Sequence, residues 1–291
     1  MRSIAIINQK GGVGKTTTAV NLSAALSRAG QRVGLIDIDP QAHASLHLGL
    51  DPQANVPTVY DLLTEETRIA ELWQPAGSTQ LSALSSQPNS LPTAEQNLSV
   101  AASHIDLAAA EVELAGVVGR EVILRDKLAE AADHFDYILI DCPPSLGILT
   151  INALAAVDDV FLPLQPHFLA LHGLSKLLKT IGLVNERLNE RLQLAGVVLC
   201  LYESGTKLAA EVSRDVEQFF RDARQGGRAW KSVRLFETRI RRNIRLAESP
   251  SFGQSIFAYA PASPGAEDYR ALGGEVLAYY AGRTLLESAA A

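Results

Sequence analysis

The sequence predicts an α/β protein, a doubly wound and mostly parallel sheet with helices on both faces. Three observations predict it. A short apolar run, Ser3–Ile7, passes through a glycine cluster into a helix-forming stretch and then into a second apolar run. Strand, helix and strand packed into about 40 residues form a βαβ unit, which needs a parallel pair. The alternation then repeats toward the C-terminus, as expected when helices cover both faces of one sheet.

The elements follow in order. Ser3-Ile-Ala-Ile-Ile7 is a buried strand. Thr16 to Ala29 is helical in composition and stops at Gly30, a common residue just past a helix end. Arg32 to Asp39 is the second strand, closed by Pro40. Residues 75–99 are rich in Ser, Gln, Pro and Asn and are expected to form a loop-rich excursion. Residues 106–134 read as one helix, with Leu107, Val112, Leu114, Ile123, Leu124 and Leu128 as apolar positions. Further strands are expected at Tyr137–Ile140, Val160–Leu164, Leu194–Leu201 and 233–236. Helices are expected at Leu174–Leu192, 207–222 and 266–288. No internal repeat or domain boundary stands out, so 1–291 is read as a single domain.

Composition narrows the function classes. Of 291 residues, 47% are hydrophobic and 20% charged, which excludes disorder along the whole chain. Two cysteines, Cys142 and Cys200, exclude a disulfide scaffold and suit a reducing cytoplasm. No apolar run reaches membrane-spanning length, and the apolar start is too short for a signal peptide. The net charge of −6 taken alone argues against nucleic acid.

The chemistry concentrates at Lys10-Gly-Gly-Val-Gly-Lys-Thr-Thr17, between the first strand and the first helix. Glycines let backbone N–H groups approach a phosphate, and the helix adds its positive end. Lys10, Gly11, Gly12, Val13, Gly14, Lys15, Thr16 and Thr17 are therefore candidate nucleotide-binding residues. Lys15 reaches the β- and γ-phosphates, and the Thr16 hydroxyl is placed to ligate Mg2+. The general pattern wants glycine five positions before Gly14, where this chain has Gln9. The added Lys10 makes sense if it reaches a phosphate held by another subunit, like an arginine finger supplied in trans. Asp37, Asp39 and Asp141 sit at strand ends, where open parallel sheets bind ligands. Carboxylates there hold Mg2+ or orient an attacking water, so Asp37 and Asp141 are candidate metal residues and Asp39 and Asp141 candidate catalytic ones.

Several segments then resemble one family. Gln9–Leu22 resembles the deviant Walker A motif of ParA/Soj-type partition ATPases, within the ParA/MinD group of P-loop NTPases. Leu35–Gln41 is similar to their Walker A′ segment, and Asp136–Ser145 to their Walker B and switch II. Asn243–Gly253 and Pro264–Arg270 resemble two C-terminal segments. The likeness runs from residue 3 to about 280. It implies Mg2+-dependent ATP hydrolysis by an ATP-sandwiched homodimer, with Lys10 on the partner's nucleotide, Asp39 positioning water and Asp141 as the Walker B aspartate. Asn243 would line the adenine. It also implies non-specific binding to double-stranded DNA, a ParB-like stimulating partner, and work on the nucleoid in the cytoplasm. The chain departs from the family pattern in three places. Arg241 stands where proline is frequent. His167 and His172 stand where carboxylates are usual, and are read first as surface or capping groups ahead of pH sensors.

Residues 221–245 hold nine basic and two acidic side chains, a net +7, which leaves −13 for the rest. Lysine and arginine contacts to phosphate supply most non-specific DNA affinity. Arg221, Arg224, Arg239, Arg241, Arg242 and Arg245 are the candidate DNA contacts. Three other classes fit less well. Membrane cycling of the MinD kind needs a basic amphipathic end, whereas Gly282–Ala291 has one Arg and one Glu. An iron–sulfur ATPase needs thiolates, and Cys142 and Cys200 read as small buried residues. A scaffold with a dead nucleotide site conflicts with intact Lys15, Thr16, Asp39 and Asp141.

Overall fold

The structure is a computed structural model, which describes residues 1–290 apart from 53, 55, 78–94, 168–173, 204, 206 and 224–227. The chain opens with β1 (Arg2–Ile6), α1 (Lys15–Arg28), β2 (Val33–Asp37), α2 (His43–His47) and α3 (Val59–Thr64). Next come β3 (Trp73–Pro75), β4 (Leu98–Ala101), α4 (Leu107–Glu113), α5 (Ile123–Leu128), β5 (Tyr137–Asp141) and α6 (Ile148–Ala156). They are followed by β6 (Asp159–Leu164), α7 (Leu174–Arg187), β7 (Gln193–Tyr202), α8 (Lys207–Ala223) and β8 (Arg234–Arg241). Three helices close the chain, α9 (Ile244–Glu248), α10 (Ile256–Tyr259) and α11 (Pro264–Ala290).

The strands form one sheet in the order β3-β4-β2-β5-β1-β6-β7-β8. All its pairings are parallel except β3 with β4. Side chains alternate across a strand, so each strand feeds two cores. Ile36, Ile138 and Ile140 join Leu154 of α6, Leu177 of α7 and Val216 of α8 on one face. Leu35, Leu139, Ile4 and Ile6 join Leu22 and Leu26 of α1 and Leu272 and Val276 of α11 on the other. Helices thus cover both faces, as the sequence predicts.

The structure corrects several boundaries. Residues 75–99 are strand at both ends, because Pro75 lies in β3 and Leu98 and Ser99 in β4. A proline lacks a ladder donor and so marks an edge strand, which Pro75 occupies. Trp73 anchors that edge against Phe135, ring centroids 4.5 Å apart. Residues 78–94 of the expected excursion lie outside the described residues. The helix expected over 106–134 is two helices, since Gly119 takes φ +78 between them. Val112, one of the apolar positions of the expected helix, is 78% exposed. The strand expected at 233–236 continues through Arg241, and the short helices α2, α3, α6, α9 and α10 add to the expected set.

Candidate nucleotide site

Register places the site. In β2 and β5, Asp37 lies directly opposite Asp141, and Asp141 lies opposite Ile6 at the end of β1. The loop leaving β1 therefore begins beside two carboxylates at the C-terminal edge of the sheet. That loop turns into α1 through Gly14, which caps the helix at φ 96 and ψ 24. A side chain there would be strained, and its Cβ would sit 3.4 Å from Cys200 Cβ. Gly12 is also left-handed, at φ +72. Gly11 and Gly12 are exposed, Val13 is buried as an anchor, and Thr16 and Thr17 are partly exposed on the first turn of α1. These are the features of an anion cradle at a helix N-terminus. Beneath it, the Thr18 hydroxyl lies 3.1 Å from Tyr269 Oη of α11 and 3.6 Å from Cys200 Sγ of β7.

Lys15 is buried, and its Nζ donates to the Lys10 carbonyl at 3.2 Å. Burial lowers its pKa, while Asp141 and Asp39 pull it back up. Asp37 is fully buried and accepts from Ser45 N and Ser45 Oγ, each at 2.8 Å, and from Asp39 N at 3.2 Å. Burial nevertheless raises its pKa to about 6. Asp141 is fully buried too, and neither of its oxygens has a hydrogen-bond partner. Burial and then the Asp37 charge push its pKa well above the carboxylate range, against smaller pulls from Thr16 and Lys15. Asp39 lies just beyond, 8% exposed, with Gln41 N on its Oδ1 at 3.0 Å. Ser103 locks that turn, donating to the Asp39 carbonyl at 2.6 Å and to Ser45 Oγ through its own N–H at 3.0 Å.

This donor set suits Mg2+. Two orphaned carboxylate oxygens beside a threonine hydroxyl are hard oxygen ligands, and Mg2+ takes few of those from protein, with water and phosphate as the rest. The described residues contain no group of three or more His, Cys, Asp or Glu that would enclose a metal by itself. Both cysteines are buried and free, and their thiols are held protonated by burial, Cys200 up to about 12 and Cys142 well above its usual value.

The rest of the expected site is spread around this edge. Lys10 is exposed, its N–H donating to Asn8 Oδ1 at 2.9 Å and its ammonium meeting His167 Nε2. Asn243 caps α9, its Oδ1 accepting from Arg245 N at 2.8 Å. Asn21 of α1 ties this C-terminal region to the loop: its side chain donates to Thr17 O at 2.8 Å and accepts from Ile256 N at 2.8 Å. Sequence reasoning missed Ser45, Ser103, Asn21 and Tyr269, all of which act by tertiary contact.

The basic segment divides. Arg241 is engaged inward, its guanidinium reaching Asp268 and Glu267 at 2.6 Å. Arg239 donates to Tyr202 Oη at 2.7 Å and lies over that ring. Arg242 pairs with Glu203 and Arg245 with Glu248, each at 2.8 Å, on exposed side chains. Arg221 is exposed on the last turn of α8. Arg224 and His172 lie outside the described residues.

The family model for an AAA domain matches residues 1–194. The chain is 43% identical over 275 residues to the sporulation initiation inhibitor protein Soj of Bacillus subtilis, covering 94% of this chain and 98% of that one. It is 42% identical over 276 residues to the chromosome partitioning protein ParA of Myxococcus xanthus, covering 95% and 88%. In three dimensions it is similar to cobyrinic acid a,c-diamide synthase of Mycobacterium smegmatis, solved with a bound ATP analog and magnesium. That similarity has a TM-score of 0.76 at 31% identity, covering 96% of both chains.

Proposed function

The chain belongs to the ParA/Soj family of partition ATPases, and on that basis we propose that it is an ATP-switched homodimer that binds double-stranded DNA without sequence preference and segregates or positions a cargo. A ParB-like protein stimulates its hydrolysis, and it works on the nucleoid in the cytoplasm. The observation that carries the nucleotide chemistry is the pair of orphaned Asp141 oxygens beside Asp37 and the phosphate cradle. Thr16 and Asp141 hold Mg2+, with Asp37 behind them because its own oxygens already serve Ser45 and Asp39. When bound, the metal neutralises charge on the phosphate oxygens. The Gly11–Thr17 backbone orients the phosphates, Lys15 offsets their charge, and Asp39 orients the attacking water. Lys10 of each subunit reaches the nucleotide of the other, and Asn243 lies against the base.

For DNA, the support is the +7 balance of residues 221–245 in an otherwise acidic chain. Among the described residues, Arg221, Lys231, Arg239, Arg242 and Arg245 are exposed, with Arg239 laid on Tyr202, and dimerisation doubles the number they offer. ATP therefore controls affinity by controlling the dimer. Among the described residues no helix is long and apolar enough to cross a membrane.

The test is a band-shift with random-sequence duplex, with ATP and with ADP, over a range of salt. Binding is expected with ATP, to weaken steeply with salt, and to be lost when Arg221, Arg242 and Arg245 are replaced together. Binding that ignores salt or survives that replacement contradicts the assignment. Arg241 is left intact, because its loss would disturb the fold.

A further inference from the structure

Lys10 is not loose at the mouth of its own loop. Asn8 holds the loop to the end of β6, its Nδ2 donating to Pro163 O at 2.7 Å. The Asn8 Oδ1 accepts from Lys10 N, and the Lys10 carbonyl accepts from Lys15 Nζ. The Lys10 ammonium then reaches His167, three residues past β6. Ammonium has donors only, so the ring nitrogen facing it is an acceptor and the imidazole is neutral. A carboxylate at this position, usual in the family, would hold the lysine at any pH above the acid range. An imidazole holds it only while unprotonated.

We propose that His167 is a positioning residue that keeps the Lys10 ammonium in cis until the partner subunit's nucleotide takes it. The proposal rests on the reading of Lys10 as a group acting in trans. In this proposal the ammonium leaves His167 to reach across to the partner's nucleotide, so the two contacts compete. The cis contact therefore opposes assembly and sets the ATP concentration that assembly needs. Protonation removes the acceptor and adds a like charge, which frees Lys10. Lys10 bears on the ring as a charged group, and the neutral Gln165 accepts from His167 N through its carbonyl at 3.0 Å. Burial and the neighbouring ammonium both hold the His167 pKa below its ordinary 6.5, so neutral pH keeps the contact closed.

The experiment is an ATP titration of dimerisation by light scattering at about pH 8 and in steps down to about pH 5, since the His167 pKa lies below the ordinary imidazole value. The full chain is used as wild type, His167→Ala and His167→Gln. At the higher pH, His167→Ala is expected to half-dimerise at about three- to fivefold less ATP than wild type, the scale of one partly exposed contact. At the lowest pH the two should coincide. His167→Gln keeps a neutral acceptor at every pH and should track wild type at the higher pH but need more ATP than wild type at the lowest. Equal titrations of wild type and His167→Ala at every pH overturn the proposal. So does a His167→Gln protein that follows His167→Ala throughout. If His167→Ala does not fold, the wild-type and His167→Gln pair decides alone. A parallel Lys10→Ala titration separates the two readings. Full dimerisation of that variant refutes the trans role itself, whereas its failure to dimerise with no effect at His167 refutes only the cis contact.

Discussion

Asp141→Asn is expected to stabilise the nucleotide-free protein while removing its response to Mg2+-nucleotide. Asp141 is fully buried, opposite Asp37 in the register, and both its oxygens lack partners. A buried group without its hydrogen bonds costs about 1–3 kcal/mol, and more when charged. The amide removes the charge and brings donors beside the Asp37 carboxylate. A net gain of about 1–3 kcal/mol follows, or a melting point higher by about 2–5 °C for a chain of this size. The pH dependence has a definite sign. A carboxyl whose folded pKa is raised costs nothing below its ordinary value of 3.8, and costs progressively more as pH rises through the folded value. Burial raises both Asp37 and Asp141, and the negative charge of each raises the other further. Wild-type stability without nucleotide therefore falls as pH rises through that window, and Asp141→Asn falls less. Thermal melts with and without ADP and Mg2+, across pH, measure all of this. An Asp141→Asn protein that melts below wild type without nucleotide, or keeps its Mg2+-nucleotide shift, contradicts the assignment of Asp141 to the metal.

Three further substitutions probe the frame. Gly14→Ala forces a side chain into the left-handed region, a strain of about 1–2 kcal/mol. It is expected to weaken nucleotide binding in a titration, and adding Cys200→Ala should not restore it, because the strain lies in the backbone. Gly196→Ala would place Cβ 2.1 Å from the buried Phe236 ring, itself packed on Phe161 at 5.0 Å, so a loss of about 1–3 kcal/mol or more is expected in denaturant melts. Arg241→Ala removes the guanidinium from the buried Asp268 carboxylate, leaving it the N–H of residue 241, and is expected to cost about 1 kcal/mol, discounted for the partial exposure of the arginine. Unchanged stability with weaker DNA binding would instead make Arg241 a phosphate contact.

The sequence made the phosphate loop legible because its chemistry is local: consecutive residues from Lys10 to Thr17 cradle one ligand. The strand-end aspartates were legible for a similar reason, since apolar runs fix where β2 and β5 end. What supports them was not. Ser45 holds Asp37 from a helix eight residues away, and Ser103 locks the Asp39 turn from beyond β4. No spacing rule links those positions. The edge strand β3 and its neighbour β4 were hidden because Pro75 and the polar stretch beside it read as loop, while their pairing depends on contacts such as Trp73 with Phe135. Charge counting located the basic segment but not its division. Arg241 turns inward only because Asp268, on α11, lies beneath it.

Light scattering of the purified chain with ATP and with ADP, compared with Lys10→Ala and Asp39→Ala, bears most directly on the proposed switch. Wild type is expected to be dimeric with ATP and monomeric with ADP, and Asp39→Ala to remain dimeric because hydrolysis is lost. Lys10→Ala is expected to bind nucleotide yet stay monomeric. A Lys10→Ala protein that dimerises with ATP as fully as wild type would show that neither subunit completes the other's site.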